Sequence, residues 1–181
     1  MELTYGRYLK VEELLQLQQP LSEGPEHDEM LFIIIHQVYE LWFKQILHEL
    51  EKLKSSFQEG ERGKVLHTLK RIRSILKVLV SQVDVLETMT PLEFLSFRER
   101  LQSASGFQSC QFRELEFTLG LKNPKHLEHY PQGSEERNRL EKKIEEPSLW
   151  EVFLQFLSSL GHDSPKLKKG ERLNEPPDSS G

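Results

Sequence analysis

Few side chains in this 181-residue sequence are placed where they could do chemistry, and His36 is the first of them. It follows Phe32 by one helical turn and precedes Glu40 by another, inside the apolar run that starts at Met30. A histidine so placed has two readings. One is a core imidazole satisfied by a neighbour. The other is a neutral ring lining a pocket, able to give or accept one directed hydrogen bond. Arg98 follows Phe94 by four residues, so both project from one helix face. On its own Arg98 reads as a salt-bridge residue. In a pocket its planar fork suits a carboxylate. The pairs His36–Glu40 and His126–His129 have helical metal-pair spacing, but the two Glu-x-x-His motifs of a di-iron bundle are missing. Ser103, Ser105 and Ser109 lack the GxSxG elbow of a hydrolase, and no phosphate-binding glycine pattern occurs. The single cysteine, Cys110, excludes an internal disulfide and a thiolate metal cage. With no CxxCH site, any haem is held without a covalent link.

The elements that position these groups read as helices throughout. From about Asp28 to Phe57, Leu31, Ile34, Ile35, Val38, Leu41, Trp42, Ile46, Leu50 and Leu53 form one stripe. Phe32, His36, Tyr39 and Phe43 form a second, so the first half of this helix is expected to be buried on two faces. Asp28 and Glu29 favour its first turn through the helix dipole. A second helix is predicted from about Lys64 to Glu87, with an inward seam of Val65, Leu69, Ile72, Leu76, Leu79, Val83 and Leu86. Thr90-Pro91-Leu92-Glu93 is a capping box with proline at the first helical position, opening a short helix to about Leu101. Further helices are predicted at Phe107–Leu119, at Glu135–Glu145, and from the capping box Ser148-Leu149-Trp150-Glu151 to Leu160. Val11–Gln18 is a candidate short helix, while Leu3–Leu9, with Tyr5 and Tyr8, reads as an arm that docks elsewhere. No segment alternates with period two. The expected architecture is an all-α helical bundle with a long buried helix and an N-terminal arm. Its divisions are an arm at 1–26, a helical domain at 27–161 and a disordered tail at 162–181.

Net charge is −5, which provides no basic field for nucleic acid. The N-terminus has no apolar signal-peptide core, and the run Met30–Ile35 is far too short to cross a bilayer. A reducing, cytoplasmic setting is the expectation.

Longer blocks carry a resemblance. Leu3-Thr4-Tyr5-Gly6-Arg7-Tyr8-Leu9 comes first, then His27 to Gln37 (HDEMLFIIIHQ), continued by Tyr39-Glu40-Leu41-Trp42-Phe43-Lys44. Val85-Leu86-Glu87-Thr88-Met89-Thr90-Pro91, Phe97-Arg98, Ser105-Gly106-Phe107-Gln108-Ser109 and Pro147-Ser148-Leu149-Trp150 follow in order. Together, over about residues 3–162, these resemble the N-terminal half of the tryptophan 2,3-dioxygenase family. That resemblance implies haem-dependent insertion of both atoms of O2 across the indole C2–C3 bond of L-tryptophan, giving N-formylkynurenine, the first step toward kynurenine. By matching position it implies that His36 is the distal, catalytic histidine that holds the indole N–H. Arg98 would clamp the substrate carboxylate, and Phe32 and Phe94 would line the indole pocket. Ser105 and Gly106 would lie beside haem b and substrate. Tyr5, Tyr8 and Leu9 match arm residues that complete a neighbouring subunit's pocket in the family's homotetramer. The family's proximal haem histidine lies further downstream than Gly181, so the iron's axial ligand is expected outside this chain. His126, His129 and His162 carry no ligand motif. The lost packing partners predict exposed apolar surface. A second expectation is a truncated, catalytically incompetent helical module that assembles with full-length subunits.

Overall fold

The computed structural model of the chain describes residues 3–24, 26–102 and 106–163. Ser105 and the tail from residue 164 onward, where the sequence predicts disorder, lie outside the described residues. Among the described residues there is no β-strand. The helices are α1 (Tyr5–Leu9), α2 (Val11–Leu15), α3 (Asp28–Gln58), α4 (Arg62–Leu86), α5 (Pro91–Arg98), α6 (Cys110–Leu119), α7 (Glu135–Glu145) and α8 (Leu149–Ser159). Short 3-10 helices occupy Glu99–Leu101, Gly106–Gln108 and Pro124–His129. No described helix is long and apolar enough to cross a membrane.

Local chemistry sets most of the boundaries. Thr90 Oγ1 accepts from the Glu93 backbone N–H, and the Glu93 carboxylate accepts in return from the Thr90 N–H, so α5 begins where its capping box stands. Ser148 and Glu151 do the same for α8. The predicted fourth helix starts later than read. Ser109 caps the Phe112 N–H, which makes Cys110 the first residue of α6 and leaves Gly106–Gln108 as a separate 3-10 turn. The predicted arm is itself partly helical, because Thr4 caps the Arg7 N–H to start α1. Lys10, in the left-handed region at φ 51°, makes the bend from α1 to α2.

The chain forms two compact units, residues 1–39 with 79–105 and residues 40–78 with 106–181. In the first, Ile35, Leu79 and Phe97 are buried, and the Tyr39 hydroxyl donates to the Leu79 carbonyl at 2.8 Å. In the second, Ile46, Leu50, Leu53 and Phe57 of α3 are buried, as are Val65, Ile72 and Ile75 of α4. Phe57 packs on Phe153 and Phe156 of α8, with ring centroids 5.7 and 5.1 Å apart. Phe117, Tyr130 and Leu140 form a buried cluster against which Cys110, Leu127 and Ile144 pack.

The inward face of α4 differs from the predicted seam. Val65, Thr68, Ile72, Ile75 and Leu79 are buried, whereas Leu69, Leu76 and Val83 are exposed. The buried set alternates spacings of three and four, and the polar Thr68 within it hid the phase. On α3, Ile34 and Leu41 are also exposed, so the expected burial on two faces fails at these positions. Their exposure fits the expectation that apolar surface is left uncovered.

Candidate functional site

The residues singled out by sequence that the structure brings together belong to the first unit. Phe32 and His36 stand one turn apart on α3, with ring centroids 4.1 Å apart. Phe94 and Phe97 project from α5, where the capping box has fixed the helix start, and their rings meet edge to face at 5.5 Å. The Phe32 ring joins the two helices. It lies 5.8 Å from Phe94 and 5.6 Å from Phe97. Phe97 is fully buried beneath this contact, while Phe32, Phe94 and His36 are half-buried. Two phenyl rings and an imidazole, backed by the buried Phe97, thus form one apolar surface with a polar edge, and such offset and edge-on contacts suit a further flat aromatic ring.

The polar edge has a defined sense. His36 Nδ1 lies 2.7 Å from the Phe32 carbonyl oxygen. A carbonyl can only accept, so Nδ1 carries the hydrogen and donates. In the neutral ring Nε2 is then left as an acceptor. The imidazole is therefore arranged to receive an N–H, the reverse of what an Nε2–H tautomer would offer. The sequence had left a satisfied core histidine and a pocket histidine both open. The structure supplies the local partner of the first reading, at Nδ1.

Arg98 continues the α5 face one turn beyond Phe94. It is exposed, and its Nη1 donates to the Gln102 carbonyl at 3.2 Å, engaging one of the guanidinium's five donors. Gln102 takes a positive φ of 50°, a strained setting for a residue with a side chain. Neither Phe97 nor Gln102 was picked out for a role by sequence. Phe97 three residues after Phe94 was a usable signal, since that spacing puts both rings on one face. The Gln102 backbone gave no such signal.

The other predicted residues stand apart from this cluster in different ways. Tyr5, Tyr8 and Leu9 of α1 are 79, 72 and 46% exposed, so no core holds them. Gly106 begins a 3-10 turn in the second unit. His126 and His129 stack at 6.5 Å on a 3-10 helix of that unit. Among the described residues, no group of three or more His, Cys, Asp or Glu side chains could hold a metal ion. The haem implied by the resemblance can be tested against these side chains. An aromatic cluster with an acceptor at its edge is compatible with the substrate side of a porphyrin.

Comparison with known proteins bears on the chain as a whole. The family model for tryptophan 2,3-dioxygenase matches residues 1–171. Tryptophan 2,3-dioxygenase of Herpetosiphon aurantiacus is 54% identical over 173 residues, covering 96% of this chain and 66% of the relative. Those of an Anaeromyxobacter species and a Nocardioides species are 52 and 53% identical, covering 91 and 88% of this chain and 62% of each relative. The chain thus spans less than two thirds of the length of these curated relatives.

Proposed function

Because the chain belongs to the tryptophan 2,3-dioxygenase family, we propose that it supplies the substrate-reading side of a haem dioxygenase site that cleaves the indole C2–C3 bond of L-tryptophan with O2 to give N-formylkynurenine. One observation carries the reading: an imidazole fixed as an acceptor and packed on Phe32, which itself meets Phe94 on the helix that bears Arg98. Indole is flat, apolar and has a single N–H, and that set of properties is complementary to this surface.

In this reading His36 Nε2 accepts the indole N–H and fixes which edge of the ring faces the reacting centre. Phe32 and Phe94 take the ring's sides, with the buried Phe97 holding both in place. Arg98 turns its fork to the substrate carboxylate, each charge-assisted bond contributing about 1.5–3 kcal/mol. Haem b, when bound, supplies the oxygen chemistry, and the protein supplies orientation and exclusion of water. The exposed Tyr5, Tyr8 and Leu9, on an arm at 1–26, complete the pocket of a neighbouring copy in a homotetramer working in the cytoplasm. The test is the purified chain with added haem. A Soret band that shifts with tryptophan is expected. A band indifferent to tryptophan would sink the reading.

A second reading has its own support. Ile34 and Val80 of the first unit are 42 and 73% exposed, and Leu41 and Leu66 of the second 52 and 61%, apolar side chains that would suit a helical module assembling with longer subunits. Co-purification with a full-length relative, without haem uptake by the chain alone, would favour it.

A further inference from the structure

The segment that leads from the arm helices into α3 is held by more directed hydrogen bonds than an exposed connection needs. Gln37, the residue after His36, donates from Nε2 to the Leu17 carbonyl at 3.0 Å. Its Oε1 accepts from Gln18 Nε2 at 2.6 Å, and the same Gln18 amide donates to the Leu14 carbonyl of α2 at 3.0 Å. Two turns nearer the start of α3, the Glu29 carboxylate accepts from two consecutive backbone N–H groups. Oε1 accepts the Leu21 N–H at 2.7 Å and Oε2 the Ser22 N–H at 2.9 Å. Glu29 is 1% exposed, although a glutamate in a first helical turn is ordinarily a solvated partner of the helix dipole. From the middle of the 3-10 turn that follows α5, Arg100 donates to the Leu21 carbonyl and to Glu26, each at 3.4 Å.

We propose that Glu29 and Gln37 are positioning residues, a two-point strap that fixes residues 17–22 along the helix of His36 and thereby sets where, and in which direction, α1 and α2 leave it. The two anchors differ in kind. Gln37 grips with a neutral amide that donates and accepts, joining the end of α2 to the turn that holds His36. Glu29 grips two consecutive backbone N–H groups with one charge, an arrangement that charge-assisted bonding makes the stronger of the two. An unanchored five-residue helix such as α1 has no stability of its own, so its direction is inherited from this strap. The use of the strap, presenting Tyr5, Tyr8 and Leu9 to a neighbouring copy, rests on the reading given under Proposed function.

The Glu29 anchor also has an acid limit. The charged groups that face it are Arg100 on the 3-10 extension and, through Arg100, Glu26 on the connecting segment. Burial by itself would raise its pKa, but hydrogen bonds from Ser22 and Leu21, with Arg100 nearby, bring the net value below the ordinary glutamate range. A lowered folded-state pKa contributes stability that is present above the unfolded value and lost as pH falls through the folded one. The strap therefore holds at neutral pH and lets go only in acid below the ordinary glutamate range.

Amide hydrogen exchange on the full chain tests this. In Glu29→Gln, exchange in the peptide covering Leu21 and Ser22 is expected to rise at least tenfold, with Ile46–Leu53 unchanged. In the wild type the same peptide should lose protection in acid, relative to intrinsic exchange, and that step should vanish in Glu29→Gln. Gln37→Ala should raise exchange at 15–18 with less effect at 21–22. Unchanged protection in both variants, or loss spread equally through Ile46–Leu53, overturns the strap. A tryptophan titration of the haem-treated protein separates the two ideas. Released strap amides with an unchanged spectral shift support the strap and remove the arm from the substrate site.

Discussion

The two units of this chain use their helices for opposite ends. Residues 40–78 with 106–181 contain most of the deeply buried side chains: Ile46, Leu50, Leu53, Phe117 and Leu140 are at most 1% exposed. Their charged groups neutralise one another at the rim. Arg139 pairs with Glu114 through both carboxylate oxygens at 3.0 and 2.8 Å, and Lys143 joins Glu51 and Glu146 at 2.9 and 2.8 Å. Residues 1–39 with 79–105 bury far less, and their polar groups are aimed instead: an imidazole with one nitrogen tied down, a guanidinium resting on a carbonyl, a carboxylate gripping two backbone amides. One unit is organised to be stable and the other to hold directed groups. Stability and readiness to bind are served by different residues, so they should respond to different substitutions.

The contrast is tested most severely at Phe117, fully buried in its cluster. Phe117→Ala should cost about 3–5 kcal/mol of stability in thermal or denaturant unfolding. A change under about 1 kcal/mol would show the second unit to be loosely packed and the comparison misdrawn. Arg98→Ala should do the reverse. Tryptophan binding to the haem-treated chain is expected to weaken by about 1.5–3 kcal/mol, roughly ten- to a hundredfold, with little shift in melting temperature because Arg98 is exposed. Arg98→Lys keeps the charge without the fork and should recover only part of the loss. Equal tryptophan binding in Arg98→Ala would take the residue out of the site.

Two cap substitutions sharpen the contrast at smaller magnitude. Ser148→Ala and Thr90→Ala each remove a capping-box hydroxyl, a loss of about 1 kcal/mol. Ser148 is buried and Thr90 exposed, so the cost should be larger at Ser148 when the two are compared by unfolding. The least expected effect is at Leu41→Ser on the exposed side of α3, within about 0.5 kcal/mol for the isolated chain. A larger loss would mean that Leu41 is already covered in solution.

What could be read from sequence follows the range of the interaction responsible. The starts of α5 and α8 were legible because a capping box is settled within four residues by hydroxyl, carboxylate and backbone N–H. The phase of α4 was not, because which face turns inward depends on neighbours distant in sequence, and Thr68 could be buried among them. The apolar stripe on α3 was legible from Ile46 to Leu53 and misleading at Ile34 and Leu41, where a periodic pattern met no partner. For the candidate site, the family resemblance named His36, Phe32, Phe94 and Arg98. The tautomer of His36 and the role of Glu29 needed coordinates, since both depend on where a backbone carbonyl or N–H lies. Glu29 was read as a dipole partner for α3 and does stand in its first turn, while its burial and its bonds to two backbone N–H groups depend on a segment that no local pattern places.

Cys110, packed beside the Phe117 cluster, has a practical consequence. Burial first, and then the nearby Glu114, push its thiol up to about 11. At neutral pH on the order of one molecule in ten thousand then carries the thiolate, the form that attacks disulfides and is attacked by peroxides. As the chain's single cysteine, it makes a poor covalent bridge between copies. Preparations should withstand air without added reductant, and assemblies that form should come apart in denaturant alone.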